Sequence, residues 1–224
     1  MIFFYLNIVF FKLTCYNVDI NVVKKLVANM FQKEEVLKIA EKNNGVLLSN
    51  QVSKLGFSRT TIKSLVEEGL ITPIQRGIYV TGNCYVDDFF LLNQKFKKGI
   101  FSHETALYLH GFSDRSPNQI TMTFEHGTST TRIKDVGIKP IMVSKDFLVG
   151  ETIILRNGMK VRVYNIERTL VDLLKSRYDV DYEQLIPALK RYATYDKKDI
   201  NKLFSYARMF GVEKKMLNYM GVLL

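Results

Sequence analysis

The residues best suited to do chemistry lie in one stretch, residues 56–80, which reads GFSRTTIKSLVEEGLITPIQRGIYV. Arg59, Thr60 and Lys63 come early in it, and the acidic pair Glu67 and Glu68 comes later. A guanidinium binds guanine through two hydrogen bonds, and a threonine contacts phosphate or a thymine methyl group. This order of cations, hydroxyls and carboxylates favours binding to a polyanion.

The spacing of apolar residues in this stretch predicts a helix that can present those side chains. Ser58 is suited to cap its N-terminus, and Gly69 is suited to end it. Its apolar positions, which fall on one helical face, are Ile62, Leu65 and Val66. We therefore expect Arg59, Thr60 and Lys63 on the opposite, solvent-facing side.

The elements around this helix predict a winged helix-turn-helix. Residues 34–43 show the periodicity of an amphipathic helix, and Ser49 is suited to cap a short second helix over residues 50–55. Strands are expected at residues 70–74 and 78–80 around a turn that contains Arg76, with Pro73 favouring an edge position. In such a motif the N-terminal part of the last helix meets base edges.

The predicted DNA contacts follow from this arrangement. The second helix would bind backbone phosphate with its first residues, the recognition helix would read bases, and the wing would add a cation. The residues concerned are Ser49, Asn50, Gln51, Ser58, Arg59, Thr60, Thr61, Lys63 and Arg76. The alternative is a winged helix that serves protein contacts and whose cations are only solvated.

The overall charge agrees with an anionic partner. The 224 residues include 32 Lys and Arg against 22 Asp and Glu, a formal net charge of +10. Nucleic acid is the first partner class to consider and a membrane surface the second, although a merely basic surface is also compatible. Cys15 and Cys84 are too few for a disulfide framework or a cysteine-based metal site, which fits a cytoplasmic protein with reduced thiols.

Residues 1–30 form an N-terminal extension of uncertain status. Residues 1–13 are very apolar, but they lack a preceding positive charge and a cleavage site, and they are too short to span a membrane. Met30 is a candidate for the natural start. We expect an α+β protein, with a winged helix-turn-helix domain at residues 31–82 and a mixed α/β domain with a helical C-terminal section at residues 83–224.

The second domain is expected to begin with helices and to continue as a sheet. Helices are predicted at residues 85–96 and from a Ser102 cap to Gly111. Residues 119–164 have strand character, and Asn157-Gly158 predicts a tight hairpin between two strands. The helical C-terminal section is predicted at residues 167–176, 182–193 and 198–210, with a last segment from residue 212.

Polar residues of the second domain allow several interpretations. His103, Glu104 and His110 offer metal ligands or a base, but a capped helix with a buried apolar face explains the same run, and we predict no metal and no cofactor. A structural Glu167–Arg168 pair is favoured over catalysis by Glu167 or Asp172. A basic surface is expected from the residues Lys190, Arg191, Lys197, Lys198, Lys202 and Arg208.

Three blocks in this order resemble the AbiEi family, the antitoxins and transcriptional regulators of bacterial abortive-infection toxin–antitoxin systems. They are LSNQVSKLGFSRTTIKSLVEEGLITPIQRGIYV, FSHETALYLHGFSDRSPNQITMTF and YNIERTLVDLL. The resemblance extends from about residue 31 to the C-terminus. It implies a winged helix that binds inverted repeats in double-stranded DNA of its own promoter and represses transcription.

The resemblance also implies that the C-terminal domain neutralises a nucleotidyltransferase-like toxin, in a type IV system that does not require a stable complex. It assigns no catalytic residue, and we expect no enzymatic activity. Two alternatives remain open at this level. One is a nuclease or toxin-modifying enzyme fused to a winged helix, and the other is a protein adaptor without DNA affinity.

Overall fold

The structure, a computed structural model, describes residues 20–175 and 182–223. The chain divides between Val86 and Asp87 into two compact units, called here the first and the second unit. The fold class is confirmed as α+β, with a winged helix followed by a mixed α/β unit that ends in helices. Most of the predicted N-terminal extension lies outside the described residues, and the domain boundaries at residues 30/31 and 82/83 stay predictions.

The first unit is built from helices packed on a small sheet. Its described elements are α1 (Ile20–Lys42), β1 (Val46–Leu48), α2 (Ser49–Lys54), α3 (Arg59–Glu67), β2 (Thr72–Gln75) and β3 (Ile78–Val80). The sheet is antiparallel with strand order β1-β3-β2, so that Pro73 lies on an edge strand as expected. The core consists of apolar side chains from every helix and from the sheet region, namely Val36, Ala40, Leu47, Val52, Ile62, Leu65 and Ile71.

Three details of the first unit differ from the sequence predictions. The first helix is described from Ile20 to Lys42 rather than only over residues 34–43, and residues 20–33 contain neither glycine nor proline. Strand β2 begins at Thr72, because the amides of Gly69 and Leu70 still bond back to carbonyls of α3. Ser49 is not a cap but the first residue of α2, and the preceding Leu48 takes the N-cap position without a side-chain hydrogen bond.

The second unit combines a five-stranded mixed sheet with seven α-helices among the described residues. Its elements are α4 (Asp88–Lys95), β4 (Ile100–Phe101), α5 (His103–Leu109), β5 (Thr121–Glu125), α6 (Thr131–Lys134), β6 (Lys139–Val143), β7 (Glu151–Arg156), β8 (Met159–Tyr164), α7 (Ile166–Leu174), α8 (Tyr182–Ala193), α9 (Ile200–Met209) and α10 (Glu213–Leu223). The strand order is β6-β5-β4-β8-β7. The β5–β6 and β4–β8 pairs are parallel, and the others are antiparallel.

The predicted hairpin between β7 and β8 is confirmed. Asn157 and Gly158 both have positive φ, as a two-residue turn of the mirror-image type requires. Six consecutive pairs join the two strands, from Glu151 opposite Tyr164 to Arg156 opposite Met159. The hairpin therefore fixes β7 as one edge of the five-stranded sheet.

Helix α7 occupies the centre of the helical section, since all of its residues are buried. It packs with α8, α9 and α10 around an apolar core that includes Leu170, Leu189 and Leu203. At the start of α5, Ser102 occupies the predicted N-cap position, but without the expected side-chain hydrogen bond. The Ser102 hydroxyl makes no capping bond and instead accepts a hydrogen bond from Thr123 Oγ1 at 2.9 Å, because strand β5 lies beside it.

Candidate nucleic-acid interface

A groove with a volume of about 490 Å³ lies between the recognition helix α3 and the β2–β3 wing. Three cationic residues line it, Arg59 and Lys63 from the helix and Arg76 from the wing. The remaining lining residues are Ser49, Ile62, Val66, Pro73, Gly77 and Tyr79. None of these described residues is acidic, so the groove concentrates positive charge where a polyanion can approach.

Local interactions hold the start of α3 in place. The Ser58 hydroxyl accepts a hydrogen bond from the Thr60 amide at 3.1 Å, which confirms the predicted N-cap. The hydroxyl oxygens Ser58 Oγ and Thr60 Oγ1 also lie 2.7 Å apart, within hydrogen-bond distance. Ile62 and Leu65 are buried one and two turns further on, so the sequence spacing directs Arg59, Thr60 and Lys63 outward.

Lys63 has one acidic neighbour on its own helix. Its Nζ lies 3.6 Å from Glu67 Oε1, and the two side chains are 76% and 63% exposed. An exposed pair of this kind contributes about 0.3–0.5 kcal/mol, so a phosphate can replace the glutamate at little cost. Glu68 forms an ion pair with Lys33 of α1, and this contact lowers the pKa of its carboxyl group.

A backbone hydrogen bond joins the wing to the N-terminus of α2. The Ser49 amide donates a hydrogen bond to the Gly77 carbonyl at 2.9 Å. Gly77 has φ +80°, and a Cβ atom built there would lie 2.8 Å from Ser49 Oγ, so only glycine fits this turn without displacement. The neighbouring Arg76 is exposed at the tip, between Gln75 and Gly77.

The remaining predicted contacts of the first unit lie in different settings. Asn50 is exposed, whereas Gln51 is half-buried and accepts a hydrogen bond from Asn43 Nδ2 at 3.1 Å. Thr61 is only 7% exposed, and its hydroxyl lies 3.4 Å from Gln32 Oε1 on α1. The expectation of a DNA contact from Thr61 does not fit this position, because packing of α1 on α3 removes its side chain from the surface.

Tyr79 is a groove residue that the sequence analysis missed. It lies on β3 between the buried residues Ile78 and Val80, so strand alternation directs it to the opposite face. Its ring packs partly against the core of the first unit while it also lines the groove. The alternation of residues 78–80 indicates that Tyr79 lies on the opposite face from Ile78 and Val80, but not that this face borders the groove.

The predicted basic surface of the second unit is distributed over α8, α9 and the loop between them. Most of its side chains are exposed, and Lys198 is half-buried. Arg191 lies over the Phe112 ring at 5.6 Å, and Arg208 pairs with Glu213 at 3.1 Å. Lys190, Lys197 and Lys202 are exposed.

The carboxylates considered for catalysis are buried in structural contacts. Arg168 is 1% exposed, and its Nε donates to Asp172 Oδ2 at 3.0 Å. The predicted Glu167–Arg168 pair is wrong. Neighbouring residues on a helix point in different directions, whereas residues four apart, such as Arg168 and Asp172, lie on the same face. Glu167 instead accepts a hydrogen bond from the Tyr192 hydroxyl at 3.1 Å.

Two histidines of the second unit, His103 and His110, are also engaged by their surroundings. Burial lowers the pKa of His103, against the opposing effect of the Asp172 charge. Burial likewise lowers the pKa of His110, whose Nε2 donates to the Tyr164 carbonyl at 2.7 Å. Within residues 20–175 and 182–223, no three His, Cys, Asp or Glu residues converge as metal ligands.

No helix in the described part of the chain is long and apolar enough to cross a membrane. The search for solved structures finds the crystal structure of the RV2827C protein from Mycobacterium tuberculosis, with a TM-score of 0.48 and 13% sequence identity. That match covers 77% of this chain and 69% of the other. A search of curated proteins finds no match.

A family model described as "Transcriptional regulator, AbiEi antitoxin" matches residues 34–82. The matched segment runs from within α1 to just beyond β3 and contains every residue that lines the groove. The resemblance found in the sequence is confirmed for this segment: residues 34–82 are similar to the AbiEi family of antitoxin transcriptional regulators.

Proposed function

We propose that the protein is a bacterial antitoxin and transcriptional autorepressor that binds inverted repeats in the promoter of its own operon. The observation that carries this proposal is the groove between α3 and the wing, where Arg59, Lys63 and Arg76 meet without a lining carboxylate. A duplex seated there would neutralise all three cations. The family match over residues 34–82 supports the same conclusion.

The proposed division of labour within the site follows from position. Arg59, in the first turn of α3, reads a guanine edge, and Thr60 beside it contacts a thymine methyl group or a phosphate. Lys63 and Arg76 bind phosphates on either side of the groove, with further backbone contacts from Ser49, Asn50 and Gln51. Ser58 holds the start of the helix in register through its capping bond.

A binding measurement with matched variants tests the site. The triple variant Arg59→Ala, Lys63→Ala, Arg76→Ala is compared with Lys95→Ala, Arg132→Ala, Lys134→Ala, which removes the same charge from the second unit. At about 1–3 kcal/mol for each good contact, the groove variant should lose promoter affinity by several orders of magnitude. If the two variants lose promoter affinity equally, the groove contributes only its net positive charge, which would contradict its assignment as the binding site.

We further propose that the second unit neutralises a nucleotidyltransferase-like toxin encoded in the same operon. A growth-rescue assay in cells that express the toxin, carried out with full-length variants, separates toxin neutralisation from DNA binding. The triple groove variant should still protect cells that express the toxin while it fails to repress the promoter. Loss of protection by a variant that remains folded would contradict the assignment of the two activities to different units.

The alternative of an enzymatic second unit receives less support from its contacts. Asp172 is engaged by the Arg168 guanidinium and Glu167 by the Tyr192 hydroxyl, and both carboxylates are buried. A general acid or base must reach a substrate within hydrogen-bond distance. Substitution of either carboxylate should therefore alter stability rather than a turnover rate.

A further inference from the structure

The two sheets differ in how their edge strands are protected against pairing with another chain. Unpaired edges are templates for strand addition, and proteins commonly blunt them with short strands, proline or lysine. Among the described strands, β1 has three residues, β2 contains Pro73, and β6 contains Lys139 and Pro140. Strand β7, at the remaining edge, has six residues and contains neither proline nor lysine.

The hairpin determines which backbone groups of β7 point outward. The Asn165 amide donates to the Gly150 carbonyl at 2.8 Å, and the two-residue turn closes with Arg156 opposite Met159. Residues 150, 152, 154 and 156 therefore direct their polar groups toward β8, in the alternation of an antiparallel pair. The N–H and C=O groups of Glu151, Ile153 and Leu155 point away from β8.

The same residues present an apolar face. Ile153 is 56% and Leu155 is 68% exposed, and both lie on one side of the sheet. On β8 they face Arg162 and Lys160. Glu151 is held by Arg162, with Nη2 at 2.7 Å from Oε2, so the apolar pair is flanked by charged groups of both signs.

We propose that β7 pairs antiparallel with β7 of a second copy of this chain, around a two-fold axis at Ile153. Residues whose backbone groups point outward form the hydrogen-bonded pairs. Each of Glu151, Ile153 and Leu155 must therefore lie opposite one of these three residues in the second copy. The register that uses all three sets Ile153 opposite Ile153 of the second copy and Glu151 opposite its Leu155. About six backbone hydrogen bonds then join two five-stranded sheets into one.

The strand is suited to its own copy because this register is self-complementary. A two-fold interface joins the same patch on both subunits, and the outward-pointing residues satisfy that condition by symmetry. Ile153 and Leu155 of both copies form one apolar cluster at the axis. Glu151 of each copy would lie beside Leu155 of the other, on the same face as the Lys160 that Leu155 faces, so that each end of the cluster carries one carboxylate and one ammonium group.

Disulfide trapping tests the register. In a background carrying Cys15→Ser and Cys84→Ser, Ile153→Cys sets two thiols opposite each other at a Cα separation of about 5.5 Å, which a disulfide spans. Leu155→Cys is the matched control, because Leu155 is at least as exposed and lies on the same face. In this register position 155 lies opposite position 151 of the second copy, about four residues away from the cysteine of that copy. With a mild oxidant, Ile153→Cys should form the covalent dimer faster. Equal rates would overturn the proposal.

Sedimentation analysis without DNA tests the association itself, which goes beyond the proposed function. The wild-type chain should show a concentration-dependent dimer that Ile153→Lys with Leu155→Lys abolishes. The matched variant Leu217→Lys with Val222→Lys, at exposed positions of α10, should leave the dimer unchanged. A wild-type chain that is monomeric at every concentration would contradict the proposal even if it binds its promoter, and a dimer without promoter binding would contradict only the proposed function.

Discussion

The two units use charged side chains in opposite ways. In the first unit Arg59, Lys63 and Arg76 are exposed and line an open groove. In the second unit Arg168 and Asp172 are buried and satisfy each other. Exposed cations add little to folding and remain available to a ligand, whereas a buried ion pair mainly serves the structure that contains it. This contrast supports the proposed role of the groove in recognition and a structural role for the buried pair.

The largest expected effect comes from breaking the buried pair. Arg168 donates to Asp172, and its guanidinium also reaches the Phe147 carbonyl at 2.9 Å and lies 3.7 Å from the Phe210 ring. Arg168→Met leaves Asp172 buried without its partner, so the free energy of unfolding should fall by about 3–5 kcal/mol. Urea denaturation followed by circular dichroism measures this change.

The control for that experiment is the double variant Arg168→Met with Asp172→Leu. Removing both charges avoids an uncompensated buried carboxylate, so the double variant should recover part of the lost stability. If the double variant is as unstable as Arg168→Met, the loss arises from packing and hydrogen bonds to the backbone carbonyls rather than from the orphaned charge.

A cavity in the first unit should have the next largest effect. Leu65 is fully buried between α3 and the rest of the core. Leu65→Ala should lower the free energy of unfolding by about 2–5 kcal/mol, measured by urea denaturation. Leu70→Ala, at a position 46% exposed, is the control, and a loss as large as that of Leu65→Ala would contradict the assigned core.

A smaller effect is expected at the cap of the recognition helix. Ser58→Ala removes the acceptor for the Thr60 amide, which should cost about 0.5–2 kcal/mol of stability. Ser58→Asp restores an acceptor at the same position and should recover stability in thermal unfolding. If Asp and Ala variants unfold at the same temperature, the capping bond does not stabilise α3.

The smallest effect should be a pH dependence of stability from the second unit. Burial lowers the pKa of His110 below its ordinary value of about 6.5. Between this ordinary value and the lower pKa of the folded state, the unfolded chain binds a proton that the folded chain does not. The free energy of unfolding therefore falls as the pH decreases from the ordinary value to the lowered one. His110→Gln should remove one part of the decline in unfolding free energy and leave the part that arises from the buried His103, whereas His126→Gln, at an exposed residue, should leave the decline unchanged.

Local signals made the recognition helix and the hairpins predictable from the sequence. Ser58, the apolar spacing of Ile62 and Leu65, and Asn157-Gly158 each act within a few residues, where propensity and periodicity operate. The winged-helix order of elements followed from them. The cationic face of α3 was predictable for the same reason.

Contacts between distant segments were not predictable in this way. The pairing of β1 with β3 joins residues thirty or more positions apart, and the burial of Thr61 depends on α1. The predicted partner of Arg168 is its neighbour Glu167, although helical geometry favours Asp172 four residues later. Tyr79 enters the groove only because the wing folds against α3.

The central claim, that DNA recognition resides in the groove, is tested most directly by the ratio of dissociation constants for promoter and scrambled duplexes. Fluorescence anisotropy titrations at several salt concentrations compare the wild type, Arg59→Ala, and a variant with Lys190, Lys197 and Lys202 changed to Ala.

We expect wild-type promoter affinity to fall steeply with salt. Arg59→Ala should reduce the preference for the promoter by about 1–3 kcal/mol. The second-unit variant should leave that preference unchanged. A wild-type chain that binds both duplexes equally, or an Arg59→Ala variant that keeps the full preference, would contradict the account.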